Sequence, residues 1–157
     1  MSGPRIIFTR FLSGESPRLS PWREHHRRVL SQVAGVSQVA DKGSVVVWRL
    51  VSSNNRELAR SAEIFSLFQD AVTSARSAST SVASGTVFLV SDERRGAYGW
   101  YLADADGPVA VCARWYEAER ERRHAVELAM KGLSLATVAE GARQLIDSDA
   151  RHAGRDV

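Results

Sequence analysis

The chain has 157 residues, enough for one average domain or for two half-size units that share a core. Its 44% hydrophobic and 25% charged residues are typical of a globular protein, and the single Cys112 excludes an internal disulfide or a cysteine-rich metal cluster. No stretch approaches the roughly 20 apolar residues of a membrane span, and the apolar run near the N-terminus is too short for a signal peptide. We therefore expect a cytoplasmic protein with no membrane partner.

The net charge of +3 is distributed unevenly. Residues 1–43 carry seven basic and three acidic side chains, whereas residues 79–157 carry ten basic and twelve acidic ones. The basic excess therefore lies in the leading segment, where it could attract a polyanion.

The N-terminal region, residues 1–43, predicts a strand, a linker and a basic helix. RIIFTRF alternates weakly and could be a strand that completes the unit after it, and SGESPRLSP is a linker rich in Ser and Pro. Ser20-Pro21 predicts the start of a helix, because proline fits the first helical position.

Residues 44–78 predict a first unit that ends in a helix. SVVVWRLV and ELARSAEIF are two strands around a polar turn, and Phe68, Ala71, Val72 and Ala75 follow with helical spacing. The polar, low-complexity residues 79–84 predict a linker.

Residues 85–136 predict a second unit of three strands and a helix. GTVFLVSD, WYLADA and PVAVCARWY are the strands, with a tight hairpin turn at Asp106-Gly107, and EAERERRHAVELAMKGL is the helix. In residues 137–157, Thr137-Val138-Ala139-Glu140 has the form of a capping box, which predicts a short C-terminal helix and a tail.

The two units contain similar sequence motifs, WRLVSSNNRELA in the first and WYLADADGPVA in the second. Because three strands and one helix make a thin core, we expect two tandem repeats packed as a pseudo-two-fold pair in an α+β fold. The matched positions are Trp48 with Trp100, Leu50 with Leu102, Ala59 with Ala110, Ser61 with Cys112, and Phe65 with Tyr116.

This pattern resembles the YegP-like family, small bacterial domains often found as two tandem copies of three strands and a helix. Trp48-Arg49-Leu50 and Trp100-Tyr101-Leu102 map onto the central strand of that family. Asn54-Asn55 and Asp106-Gly107 map onto its turn, and Phe65 and Tyr116 map onto the aromatic residue before the helix. The family has no established catalytic residues, so the resemblance implies a fold and not an activity.

Four arginines around the N-terminal helix are the candidate contact for an anion or a nucleic acid: Arg18, Arg23, Arg27 and Arg28. A basic helix face can bind phosphates without reading sequence, although the same residues could simply form a solvated surface. Arg94 and Arg95, in a predicted tight loop, have the same two interpretations.

Tyr101 and Trp115 are the candidate aromatic contact patch. Adjacent strand residues point to opposite faces, so if Tyr116 packs under its helix, Trp115 lies on the other face, with Tyr101 beside it. That face is either open to a partner or covered by the N-terminal helix or the other repeat.

Histidine and cysteine side chains offer weaker chemistry. His25 and His26 are adjacent, so on a helix they point about 100° apart and cannot chelate one metal ion together. Cys112 is either a reactive thiol near Arg114 or a small buried residue. We therefore expect no metal, no cofactor and no catalytic residues.

The sequence thus favours a non-enzymatic binding module whose partner is another protein, a second copy of itself, or nucleic acid bound through the N-terminal arginines. The alternative is a small-molecule binder or enzyme with a pocket between the repeats near Cys112.

Overall fold

The computed structural model describes residues 3–33 and 42–144. In this part of the chain, seven strands form one mixed sheet that carries three α-helices, so the α+β class predicted from the sequence is confirmed. The strands are β1 (Arg5–Phe11), β2 (Val45–Val51), β3 (Glu57–Ser61), β4 (Thr86–Asp92), β5 (Ala97–Asp104), β6 (Gly107–Cys112) and β7 (Thr137–Gln144), and the helices are α1 (Ser20–Val29), α2 (Phe68–Ser84) and α3 (Glu119–Leu135). Across the sheet, the strands lie in the order β4-β5-β6-β3-β2-β1-β7.

Strand β2 shows how the sheet buries both of its faces. Successive strand side chains point to opposite sides, and nearly every residue of VVVWRLV is buried, as expected for a central strand covered twice. One side carries Trp48 and packs with apolar residues of α2 and α3. The other side carries Val45 and Val47, which pack with Leu19 and Trp22 at the start of α1.

Strand β1 completes the first half of the sheet, as its weak alternation suggested. It pairs antiparallel with β2 over its whole length, with Phe8 opposite Trp48. The α1 segment lies between β1 and β2 in the chain, and the second half has no counterpart to it between β4 and β5.

The predicted C-terminal helix is wrong where the structure describes it. Residues 137–144 form strand β7, which pairs in parallel with β1, with Val138 opposite Ile6. The Thr-x-x-Glu pattern was misleading because the outer side of β1 needs backbone partners, and β-branched Thr137 and Val138 fit a strand better than a helix start. The rest of the predicted helix and tail, from residue 145, lies outside the described residues.

The expected linker at residues 79–84 is also helical, because α2 continues to Ser84. Ala78 and Ser81 are buried against the sheet side of the molecule, so small residues here serve close packing and not flexibility. Gly85 follows the last helical residue, and an added Cβ there would come within 2.6 Å of the Ala103 carbonyl oxygen. The chain thus passes from α2 directly into β4.

The two halves of the sheet meet at β3 and β6. These strands pair antiparallel, with Ala59 opposite Cys112 and Ser61 opposite Ala110. In each half, a single bridge outside the main ladder joins the second strand to the aromatic residue before the helix, Val46 to Phe65 and Tyr98 to Tyr116.

No helix of residues 3–33 and 42–144 is both long enough and apolar enough to cross a bilayer.

Candidate functional site

Helix α1 is held on the sheet by its two histidines. His25 donates from Nε2 to the carbonyl oxygen of Cys112 at 2.8 Å. The ring nitrogens of the fully buried His26 lie 2.7 Å from the carbonyl oxygen of Trp22 and 2.8 Å from that of Ser61. Burial lowers the pKa of both imidazoles, that of His26 to about 4. These rings therefore anchor the helix, and their contacts are with carbonyl oxygens.

Arg28 ties α1 to the turn that joins β4 and β5. Its guanidinium lies 3.2 Å from the carboxylate of Asp92 and 4.7 Å from the ring centre of Trp115, so it is both ion-paired and stacked. Partial burial opposes ionisation of Asp92, but hydrogen bonds from Arg28 and from the Arg95 backbone lower the pKa of its carboxyl below the ordinary value. Asp92 therefore stays charged and holds Arg28 in place.

The turn after Asp92 brings two more arginines to the same place. The Arg95 N–H donates to the Asp92 carbonyl, and Gly96 follows at φ +61°, in the left-handed region that glycine adopts without strain. Arg94 and Arg95 are exposed on this turn. The charge of Arg95 helps to lower the pKa of the Glu24 and Asp92 carboxyls, so these carboxylates offset part of its charge.

Together, Arg27, Arg28, Arg94 and Arg95 line two adjoining clefts, which we call the arginine cleft. The clefts have volumes of about 420 and 390 Å³ and share Arg27, Arg28, Asp92 and Arg94. Arg27 is bonded to Glu24 at 3.1 Å, yet its side chain remains 71% exposed. The cleft thus presents four guanidinium groups from two elements of the chain, against the carboxylates of Glu24, Asp92 and Glu93.

The other two predicted arginines lie elsewhere. Arg23 donates to the Gly14 carbonyl oxygen at 2.7 Å and borders a neighbouring cleft along α1, which shares Glu24 and Arg27 with the arginine cleft. Arg18 is exposed on the short 3-10 turn, Pro17–Leu19, before α1. Of the four arginines singled out in the sequence, the structure therefore brings Arg27 and Arg28 together and leaves the others outside the cleft.

The two candidate aromatic residues have different neighbours. Trp115 is half-buried beneath α1, where it contacts Arg28 and the ring of His25. Tyr101 stacks on Phe88 of strand β4, with ring centres 5.0 Å apart. The sheet face that carries Trp115 is therefore covered by the N-terminal helix and is not open to a partner at this residue.

Cys112 has the environment of a packed residue. It is fully buried, and its Sγ accepts a hydrogen bond from the Trp100 N–H at 3.4 Å. Burial raises the pKa of the thiol to about 11, so the thiolate needed for nucleophilic attack is scarce at neutral pH.

A cleft of about 460 Å³ lies between β3 of the first half and α3 of the second, but Cys112 does not line it. Its basic side chains are balanced by Glu57 and Glu121, and Arg114 stacks on Tyr116 with 5.4 Å between the guanidinium and the ring centre. The walls are formed by Arg56, Glu57, Leu58, Ala113, Arg114, Tyr116, Glu121, His124, Ala125 and Leu128.

The comparisons with known proteins identify the fold. No protein-family model and no curated protein matches the sequence. Among solved structures, the solution NMR structure of yegP from E. coli, a protein of unknown function, matches with a TM-score of 0.53 over 92% of this chain and 94% of that one. This chain has the yegP fold. At 12% identity the match establishes architecture alone, and the YegP-like resemblance noted in the sequence is confirmed at that level.

The sequence offered Arg94 and Arg95 as a separate anion contact and did not join them to the arginines around the N-terminal helix. They lie 66 or more positions from the α1 arginines, and the docking of α1 on the sheet, through its histidines and the Arg28–Asp92 pair, makes them neighbours. The one available signal was their predicted place in a tight loop after a strand.

Proposed function

We propose that the protein is a non-enzymatic binding module whose arginine cleft contacts the phosphates of a nucleic acid. The observation that carries the proposal is the convergence of Arg27 and Arg28 from α1 with Arg94 and Arg95 from the β4–β5 turn. Guanidinium groups pair with phosphate oxygens in a planar, two-pronged geometry. Neutralising phosphates also releases counterions, which drives binding without sequence readout.

The position of Arg28 supports this use of the cleft. Asp92 and Trp115 fix its guanidinium from two sides, so little side-chain entropy is lost when a ligand binds there. Arg94 and Arg95 are exposed, so their guanidinium groups are accessible to phosphate oxygens, although Glu24 and Asp92 offset part of the charge of Arg95.

We further propose that this module is a pair of tandem repeats related by a pseudo-two-fold axis between β3 and β6. The sequence repeat matches Ala59 with Ala110 and Ser61 with Cys112. A two-fold axis requires each residue to face the partner of the other, and the pairing of Ala59 with Cys112 and of Ser61 with Ala110 supports that relation.

Two further hydrogen bonds support the repeat. The Trp48 N–H donates to Ser61 Oγ at 3.2 Å, and the Trp100 N–H donates to Cys112 Sγ at 3.4 Å. The same backbone donor thus finds a side-chain acceptor at the same matched position in both halves.

Binding of a fluorescent single-stranded or double-stranded oligonucleotide, followed by anisotropy over a range of salt concentrations, tests the proposed function. The variant Arg94→Ala/Arg95→Ala should weaken binding and reduce the slope of log affinity against log salt by about 1 to 2. The control Arg120→Ala/Arg123→Ala removes the same charge from exposed positions of α3 and should change binding little. Equal losses in the two variants, or no binding by the natural chain at low salt, would contradict the proposal.

A further inference from the structure

Strand β4 forms one edge of the sheet and is unusually regular for an edge. It pairs with β5 over all seven of its residues, from Thr86 opposite Ala103 to Asp92 opposite Ala97, with no shift of register. Within the described residues, its other side has no strand partner. A free edge of this kind presents a row of backbone N–H and C=O groups to any extended chain.

The centre of this edge carries two large, exposed apolar side chains. Phe88 is 44% exposed and Leu89 is 62% exposed, and because they are adjacent they point to opposite faces of the sheet. Proteins commonly block such an edge with a lysine, a proline or a bulge. Residues 86–91 have none of these, and the one charged residue of β4, Asp92, comes at its end.

We infer that β4 pairs antiparallel with β4 of a second copy of this chain, which continues the sheet across a two-fold axis at Leu89. Leu89 is the midpoint of the seven-residue strand, so full pairing of β4 with itself sets Leu89 opposite Leu89 of the partner. Phe88 then lies opposite the partner's Val90, and Thr86 lies opposite the partner's Asp92. The apolar residues meet at the centre and the polar ones at the ends.

Charge favours a second copy as the occupant. The antiparallel register keeps the two Asp92 carboxylates at opposite ends of the pair, so no two charges face each other. It also brings the Arg94-Arg95 turn of one copy to the C-terminal end of α2 in the other, since α2 ends just before β4 begins. The last turn of α2 contains no basic residue, so its partly negative carbonyl end suits arginine.

Sedimentation equilibrium of the natural chain and of two lysine variants tests this interface. The natural chain should be a dimer, and Leu89→Lys should raise the dimer dissociation constant at least about a hundredfold, because it removes apolar burial and sets two like charges opposite each other. The control is Leu135→Lys, at a site that is 61% exposed at the end of α3, and it should leave the dimer intact. A monomeric natural chain, or equal effects of the two variants, would overturn the inference.

Cysteine cross-linking tests the register itself. Opposed residues of an antiparallel pair have Cα atoms about 4.5 to 5.5 Å apart, which a disulfide can bridge. Leu89→Cys should therefore form a covalent dimer under mild oxidation, and Leu135→Cys should not. The buried Cys112 stays in both variants and in the natural chain, which serves as the blank. A Leu89→Cys protein that does not cross-link would overturn pairing centred on this residue.

Discussion

The burial of His26 predicts that the protein loses stability on mild acidification. Its ring is fully buried and stacked on Trp22, with centroids 4.7 Å apart. Both ring nitrogens lie near carbonyl oxygens, and a neutral imidazole can donate to only one of them. Protonation would let both ring nitrogens donate to the two carbonyl oxygens. The free-energy cost of burying the charged ring is larger than that gain, so burial lowers the pKa of His26 to about 4. Neighbouring Arg60 and His25 add to the same shift.

The sign and size of the effect follow from linkage. An unfolded histidine takes up a proton near pH 6.5, whereas folded His26 does not do so until about pH 4, so acid favours the unfolded state between these values. The contribution of neutral His26 to the free energy of unfolding is fully present above pH 6.5. It falls between pH 6.5 and about pH 4, and below that pH it decreases no further. The whole shift corresponds to about 3 kcal/mol, of which about 2 kcal/mol is lost between pH 7 and pH 5.

Urea unfolding at several pH values measures this loss, and His26→Gln provides the reference. The glutamine amide can still donate to a carbonyl but does not titrate. Between pH 7 and pH 5, the free energy of unfolding of His26→Gln should therefore fall by about 2 kcal/mol less than that of the natural chain. His25 and the carboxylates titrate in both proteins, so the difference between the two curves isolates His26. If the natural chain is no more sensitive to acid than His26→Gln, folding does not lower the pKa of His26 and the reasoning is refuted.

Three other predictions concern the core. Ala125→Ser should stabilise the protein by about 0.5 to 1.5 kcal/mol in urea unfolding. The buried Trp100 Nε1 has no acceptor among the described residues, whereas Nε1 of the matched Trp48 donates to Ser74, which lies nine residues after Phe65 as Ala125 lies nine after Tyr116. The absence of a gain would count against the repeat. Arg122→Ala should lower the free energy of unfolding by about 2 kcal/mol or more in the same assay, because Arg122 is buried and donates to the backbone carbonyls of Val90 and Gly99. The control Arg123→Ala, at an exposed position, should change it by less than about 0.5 kcal/mol. Cys112 should react with a thiol reagent only in denaturant, and rapid native labelling would contradict its burial.

The sequence predicted most strands because their patterns are local. Trp48 and Trp100 alternate with neighbours of the opposite face, and Asp106-Gly107 marks the hairpin between β5 and β6. It did not predict β7, whose pairing depends on the distant and otherwise unpaired side of β1. The last turns of α2 were also missed, because the small polar residues 79–84 are typical of a linker. Only their packing against the sheet shows that they belong to the helix.

The candidate site shows the same limit. The clustering of Arg27 and Arg28 is visible along one helix, since neighbouring arginines there are close in any fold. The addition of Arg94 and Arg95 depends on the docking of α1, in which the ion pair of Arg28 with Asp92 joins positions far apart in the chain. No periodicity or spacing encodes that pair.

The divergence of the adjacent histidines of α1 excludes a shared metal ion and also lets the two rings anchor the helix at two places. Neighbours on a helix point about 100° apart, which excludes chelation of a single metal ion by His25 and His26. The same divergence lets them reach two separate carbonyls, those of Cys112 and Ser61, on the two strands that join the halves of the sheet. These are the positions that the sequence repeat matches with each other. Helix α1 therefore binds backbone carbonyls of both β3 and β6, so the loss of either imidazole should loosen α1 and, with it, the Arg27 and Arg28 side of the arginine cleft.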